Sequence, residues 1–267
     1  MRSILTTIIA CLLLQPVSVT AQSLSEQQVS PVSDSEQQNS KTAKRNSNNN
    51  RQESLDFSGT GRPGQQTAGE SRGNCANTGR LEALLPVSKS GKTVLGHPSF
   101  WVYFSDTFPQ GSQVEFILQN EAREDIWRSR SLLDTKPGYK KFALPETEKA
   151  LEIGQWYRWY VKVYCDSQMA SASYVQGWVN RIDLSSQLYV ELEKNSENHH
   201  LVYGNHSIWY DAIDKLLSSY QTNPANLSLE QDWRNLVEAK GVNLHLLPSI
   251  GGSYEALNPR NNTTVDK

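Results

Sequence analysis

The chain has 267 residues, 26 Lys and Arg against 28 Asp and Glu, and a formal net charge of −2. So near-neutral a balance argues against nucleic acid as a partner, which would select a basic patch or stripe. Beyond the first residues, no segment is apolar enough to cross a bilayer.

Arg2 and the apolar run Ile4 to Leu14 read as an export signal, too short to be a transmembrane span. Val19-Thr20-Ala21 puts small residues at the two positions a signal peptidase reads, so cleavage is expected before Gln22. Cys11 comes too early in the run to be a lipid-attachment site. The expected location is the periplasm or the cell exterior. Removing residues 1–21 takes away Arg2 and no acid, moving the net charge from −2 to −3.

Residues 22–73 are rich in Gln, Ser and Asn, with Leu24, Val29, Val32, Leu55 and Phe57 almost the only sizeable apolar side chains. Such a composition buries too little surface to offset ordering entropy, so a disordered arm is expected. Lys41, Lys44, Arg45 and Arg51 form its one cationic cluster, which reads as part of a solvated spacer.

Residues 74–183 carry strand and turn signals every ten to fifteen residues. Predicted strands are Leu81–Leu85, Ser99–Phe104, Gln113–Leu118, Asp125–Leu132, Tyr139–Leu144, Trp156–Cys165 and Ser173–Asp183. Turn chemistry separates them at Pro109-Gln110-Gly111, Asn120 to Arg123, Lys136-Pro137-Gly138 and Asp166-Ser167. Seven short strands over about a hundred residues predict one β-sandwich of the immunoglobulin or fibronectin-III kind. Leu151, Gly154 and Tyr157 have the spacing of a tyrosine corner, which closes one end of such sandwiches.

The stretch Trp156–Cys165 alternates strictly, with Tyr157, Trp159, Val161, Val163 and Cys165 on one face. The other face carries Trp156, Arg158, Tyr160, Lys162 and Tyr164. A hairpin with the next strand is expected to oppose Tyr164 with Tyr174, Lys162 with Gln176, Tyr160 with Trp178 and Arg158 with Asn180. That register collects an aromatic and cationic ladder of Trp156, Arg158, Tyr160, Lys162, Tyr164, Tyr174 and Trp178. So large an apolar surface calls for a cover, either helices of the same chain or an external ligand. Docked helices are the favoured cover, because the chain runs from Asp183 straight into them.

After Arg181 the period changes. Leu184, Leu188 and Leu192 predict a short helix capped by Asp183 or Ser185. A second helix is expected from His206 to Tyr220, stopping before Asn223-Pro224. A third is expected to start at a Ser228 cap with Gln231 and to end at Gly241. The spacing from Ala212 to Pro224 is similar to a tetratricopeptide unit, but a solenoid needs about three. Residues 184–250 therefore read as a C-terminal helical cap, and residues 251–267 as a flexible tail.

Chemistry-bearing residues are sparse. Cys75 and Cys165 remain after export, and an even pair in an exported protein favours one disulfide. It would close a loop of about ninety residues, a constraint of about 4–5 kcal/mol in the chain-entropy account. The alternative for Cys165 is a small core hydrophobe. His199, His200 and His206 lack a zinc-type spacing and read as a polar loop; His97 reads as structural. The loop pairs Glu146 with Glu148 and Glu121 with Glu124 have no apolar bracket to perturb them. Asp211 is expected to clamp a neighbouring arginine such as Arg181. No catalytic residue, metal site or cofactor is expected.

Six motifs occur in order: Arg72-Gly73-Asn74-Cys75, His97-Pro98-Ser99-Phe100-Trp101, Tyr157-Arg158-Trp159-Tyr160, Cys165-Asp166, Gly177-Trp178-Val179 with Arg181, and Trp209-Tyr210-Asp211-Ala212. Together they resemble the cyanobacterial domain-of-unknown-function family numbered 928, over about Arg72 to Leu247. The resemblance implies an exported cyanobacterial protein and supplies no catalytic residues. Two functions are left open: a non-enzymatic binding or assembly module of the cell envelope, or a carbohydrate-active enzyme or sugar-binding accessory protein using the aromatic face. Its partner would be an envelope protein or a polysaccharide.

Overall fold

Along β7 (Trp156–Tyr164), buried and half-buried residues alternate without a break. This is the burial pattern of a strand with one face in a core and the other partly open. A computed structural model describes residues 54–62, 80–105, 107–165, 169 and 172–250. Strand β7 is central to a five-stranded sheet ordered β2-β8-β7-β4-β5, with β2 (Ser90–Thr93), β4 (Gln113–Gln119), β5 (Asp125–Leu132) and β8 (Ala172–Arg181). All its pairings are antiparallel except that of edge strand β2 with β8. A second, antiparallel sheet is ordered β1-β3-β6, from β1 (Leu81–Ala83), β3 (Ser99–Phe104) and β6 (Gly138–Ala143). Four helices follow: α1 (Ser186–Lys194), α2 (His199–Asn205), α3 (Trp209–Thr222) and α4 (Leu227–Val237).

Phe100 joins these layers. Its ring lies 5.3 Å from Phe116 of β4, 5.4 Å from Trp159 of β7 and 5.2 Å from Tyr210 of α3. Every residue of β3 is buried, because both its faces are covered. Phe100 looks toward the larger sheet, while on the other face Trp101 Nε1 donates to Asp214 of α3 at 2.9 Å. On that same face, Tyr103 and Tyr139 lead to Trp233 of α4. The helices expected over the aromatic ladder thus pack on the smaller sheet and on β2.

Tyr157 and the loop before it form the anticipated corner contact. The Glu152 N–H donates to the Tyr157 hydroxyl at 2.9 Å, Leu151 is buried, and Gly154 turns the chain at φ 81°.

Several elements differ from the sequence reading. Strand β2 was not anticipated: Ser-Gly-Lys-Thr has no apolar alternation, and its place comes from α3. A Cβ on Gly91 would lie 2.9 Å from Cβ of Trp209, so glycine permits that approach. Helix α2 was missed because seven residues containing Gly204 offer little periodicity. Helix α3 begins at Trp209 rather than His206, since Ser207 sits at φ 56°. Ser185 caps α1 as expected, accepting from Leu188 N. The cap of α4 is Asn226, whose side chain accepts from Ser228 N, in place of Ser228.

The largest correction concerns the arm. Residues 54–62 are packed, because Leu55 and Phe57 reach pockets on the helices. Phe57 is 0% exposed and meets Trp209 edge-on at 4.9 Å. Its N–H donates to Lys240 O at 2.8 Å, and Lys240 N donates to Leu55 O at 3.1 Å. The close fit depends on Gly241, at φ 80°, where a Cβ would fall 2.4 Å from Ser58 N. The remainder of the arm, and the expected tail of residues 251–267, lie outside the described residues.

Phe57→Ala should lower unfolding stability by about 3–5 kcal/mol, as for a buried aromatic. Urea titration of the full chain checks this; a midpoint equal to wild type would show that the segment does not dock.

Candidate recognition face

The seven ladder residues share the outer face of the five-stranded sheet, opposite the core. Their pairing differs from expectation by two residues: Arg158 opposes Trp178, Tyr160 opposes Gln176, Lys162 opposes Tyr174, and Trp156 opposes Asn180. A slip of two leaves every side chain on its face, so the ladder survives with new neighbours. The physical reason lies on the inner face, where Trp159 opposes Gly177. A Cβ at Gly177 would come 2.4 Å from Leu85 and 2.9 Å from the Trp159 indole, so the largest ring needs the smallest partner.

Cations lie among the rings. The Arg158 guanidinium is 4.9 Å from the Tyr160 ring and 5.5 Å from Trp178, and Lys162 Nζ is 5.6 Å from Tyr160. Tyr160 and Tyr174 stand 6.3 Å apart at 59°. Trp178, 7% exposed, is covered by the guanidinium of Arg62 at 4.1 Å, and Arg62 also pairs with Glu121. Two buried donors here, Arg158 Nε and Trp178 Nε1, have no acceptor among the described residues. Arg158 does donate through its terminal nitrogen to Gln176.

Sequence reasoning missed the anionic member of this face. Glu115 of β4 points outward between Val114 and Phe116, yet its side chain is 1% exposed. It accepts from Arg128 at 2.9 Å, Arg130 at 2.6 Å and the Tyr164 hydroxyl at 2.9 Å. Burial alone would raise its pKa, but the three hydrogen bonds outweigh burial and hold it below the ordinary carboxylate value. The signal was available: in Gln-Val-Glu-Phe-Ile-Leu, alternation places Glu115 beside Lys162 and Arg130. Burial raises the pKa of Tyr160, and burial followed by the bond to Glu115 raises that of Tyr164.

Two depressions open along this side. One, of about 410 Å³, lies among Tyr160, Lys162, Tyr164, Tyr174, Gln119 and Arg128. The other, of about 340 Å³, lies at the end of β7 around Trp156, Glu121, Lys149, Glu152 and Gln155.

Other candidates have local partners. His97 Nε2 meets Glu148 O, His199 Nε2 meets Leu192 O, His200 Nε2 meets Asp232, and His206 Nε2 meets Glu191. Glu121 pairs with Arg62, while Glu124 accepts from the Asn120 side chain. Cys165 is half-buried against the core just beyond β7, and Cys75 lies outside the described residues.

Asp211 corrects an expectation. Its carboxylate accepts from Thr93 Oγ1 at 2.6 Å and Val94 N at 2.8 Å, while the Arg181 guanidinium donates to Leu151 O. Burial pushes the Asp211 pKa up to about 7, against the opposing pull of those two hydrogen bonds.

The described residues define a mainly β protein, two sheets with four helices, bearing an aromatic and cationic sheet face. The family model for Domain of Unknown Function (DUF928) matches residues 67–248, and the chain belongs to that family. No curated protein matches the chain. Among solved structures, similarity extends to the Parabacteroides merdae β-glucuronidase with glycerol in its active site, at 12% identity and TM-score 0.24, over 39% of this chain and 13% of that one. The C-terminal domain of wzt is similar at 8% identity and TM-score 0.26, over 48% of this chain and 89% of that one. A Listeria innocua β-glucosidase in complex with gluconolactone is similar at 13% identity and TM-score 0.23, over 44% and 17%. These likenesses are too slight to bear on function.

The Asp211 environment sets a pH dependence. The folded protein keeps this proton up to about 7 and the unfolded chain loses it near 3.8. Between those values the folded state binds more protons, so this group's contribution to stability falls as pH rises and levels off above about 7. Asp211→Asn should remove that slope, on the order of a few kcal/mol, in unfolding curves of both proteins from about pH 4 to about pH 8. Parallel curves for the two proteins would show that Asp211 is ionised throughout.

Proposed function

We propose that the protein is a non-enzymatic binding module of the cell envelope and that the outer face of the five-stranded sheet is its recognition surface. One observation carries this reading. Tyr160, Lys162, Tyr164 and Tyr174 line an open depression on the outer face, with the Arg158 guanidinium beside the Tyr160 ring.

In this reading the export signal of residues 1–21 delivers the chain to the periplasm or beyond. The contact between Tyr157 and Glu152 supports a sandwich of the immunoglobulin or fibronectin-III kind. The packing of α3 and α4 on β3 supports a helical cap on the smaller sheet, which leaves the larger sheet's outer face to a partner. A disulfide between Cys75 and Cys165 would tie the chain entering the sandwich to the end of β7.

Purified full chain should sediment with native envelope fragments. Tyr160→Ala combined with Tyr174→Ala should cut that retention about tenfold, or roughly 1.4 kcal/mol, with an unchanged melting temperature. Equal retention of wild type and double variant would sink the assignment of this face. For the disulfide, thiol labelling of denatured, non-reduced protein from the envelope should find no free cysteine. Two labelled cysteines would refute the bridge.

A further inference from the structure

We infer that this face takes an acidic polysaccharide, an extended chain of sugars bearing carboxylate or sulfate groups, which deepens and rests on the binding-module reading above. The argument begins with the charges. On the outer face, Arg128 and Arg130 are neutralised by Glu115 and Asp125, and Arg62 by Glu121. Among the described residues Arg158 and Lys162 have no carboxylate within 4 Å, although Asp125 attracts Lys162 at longer range, and both stand beside the Tyr160 ring. Lys92, opposite Asn180 on β2, adds a third cation at the same end of the sheet as Trp156. The excess charge on the face is therefore positive and lies between the rings.

Guanidinium and ammonium groups are suited to carboxylate or sulfate oxygens, which accept charge-assisted hydrogen bonds. Arg158 already donates through a terminal nitrogen to Gln176, which holds its guanidinium 4.9 Å from the Tyr160 ring. The rings supply the second half of recognition. Tyr160 and Tyr174, tilted at 59°, form a corner in which an apolar sugar face can rest while hydroxyls reach Gln119 and the phenols. Sugars without charge would leave Arg158 and Lys162 idle.

The depressions argue for a polymer. Trp156 and Tyr160 border different hollows. They are four residues apart on one strand, about 13 Å at the usual strand rise. A ligand filling both must be extended. Arg62 lies over Trp178 and pairs with Glu121 at the border of the Trp156 hollow, and among the described residues Tyr160 and Tyr174 stay open.

The test is affinity electrophoresis of the full chain through gels containing polygalacturonate, dextran sulfate, neutral dextran or poly-L-glutamate. Polygalacturonate or dextran sulfate should retard the protein, identifying carboxylate or sulfate as the preferred group, and dextran should not. Retardation should weaken as salt is raised from about 0.05 M to about 0.5 M, because the contacts are partly exposed. Lys162→Gln and Tyr174→Ala should each weaken binding about tenfold, whereas Tyr189→Ala, on the exposed side of α1, should leave it unchanged. Retardation by dextran equal to that by the acidic sugars would overturn the role of charge. Equal retardation by poly-L-glutamate would point to an acidic peptide and overturn the sugar assignment. Full affinity in the Lys162 and Tyr174 variants, or no binding of either acidic polysaccharide, would also overturn it. If envelope sedimentation still depends on Tyr160 and Tyr174 while acidic sugars fail to bind, only the ligand class falls.

Discussion

Three consecutive residues at the start of α3 hold the structure together. Trp209 Nε1 donates to Leu84 O at 2.8 Å, beyond β1. The Tyr210 hydroxyl donates to Trp178 O of β8 at 2.9 Å and accepts from Trp159 Nε1 of β7 at 2.7 Å. Asp211 binds Thr93 and Val94 at the end of β2. Successive residues of a helix point about 100° apart, so burying all three requires protein on every side of this helical end. The arrangement fixes β2 against β8, ties β7 to α3, and sets the backbone of Trp178, whose ring belongs to the outer face.

That outer face has the opposite logic. Its carboxylate, Glu115, is buried although it lies on the side away from the core, and two arginines and a tyrosine enclose it. A buried charge stripped of its partners is costly, about 3–5 kcal/mol in comparable cases. Arg128 and Arg130 are therefore committed to structure, and their long side chains cover the outward surface of the β4–β5 pair. Arg158 and Lys162, one strand further in, have no carboxylate within 4 Å among the described residues, Arg158 donating instead to Gln176. The division separates cations paired with a buried carboxylate from cations that stand beside the aromatic rings.

Much of the sheet was legible because period-two alternation is strong in Trp156–Tyr164 and Gln113–Gln119, where burial on one face imposes it. The gathering of the seven ladder residues followed from that alternation alone. Their exact pairing did not, since it depends on fitting Gly177 against Trp159, a contact between inner-face residues that the outer-face pattern does not contain. Ser90–Thr93 was illegible for a related reason: its burial comes from α3 and residue Thr60, not from its own side chains. Asp211 misled because single-face reasoning for a helix allows one buried stripe, while this helical end has neighbours all round. Phe57 misled because one aromatic in a polar arm has no periodicity to read.

The segment containing Phe57 links the two regions. Phe57 rests on Trp209, Thr60 Oγ1 lies within hydrogen-bonding distance of Ser90 O, and Arg62 lies over Trp178. Within six residues the chain thus touches the α3 anchor, the β2 edge and the outer face. Each contact lies on a strand or helix that the Trp209-Tyr210-Asp211 anchor already fixes, so the segment needs little order of its own to be held. Its last described residue neutralises Glu121 and shields the Trp178 ring, removing both a negative charge and an apolar surface from one end of the ladder. What stays open among the described residues is the stretch around Tyr160, Lys162 and Tyr174. The polarity of the outer face is therefore set partly by a stretch of chain that, by composition, belongs to the arm.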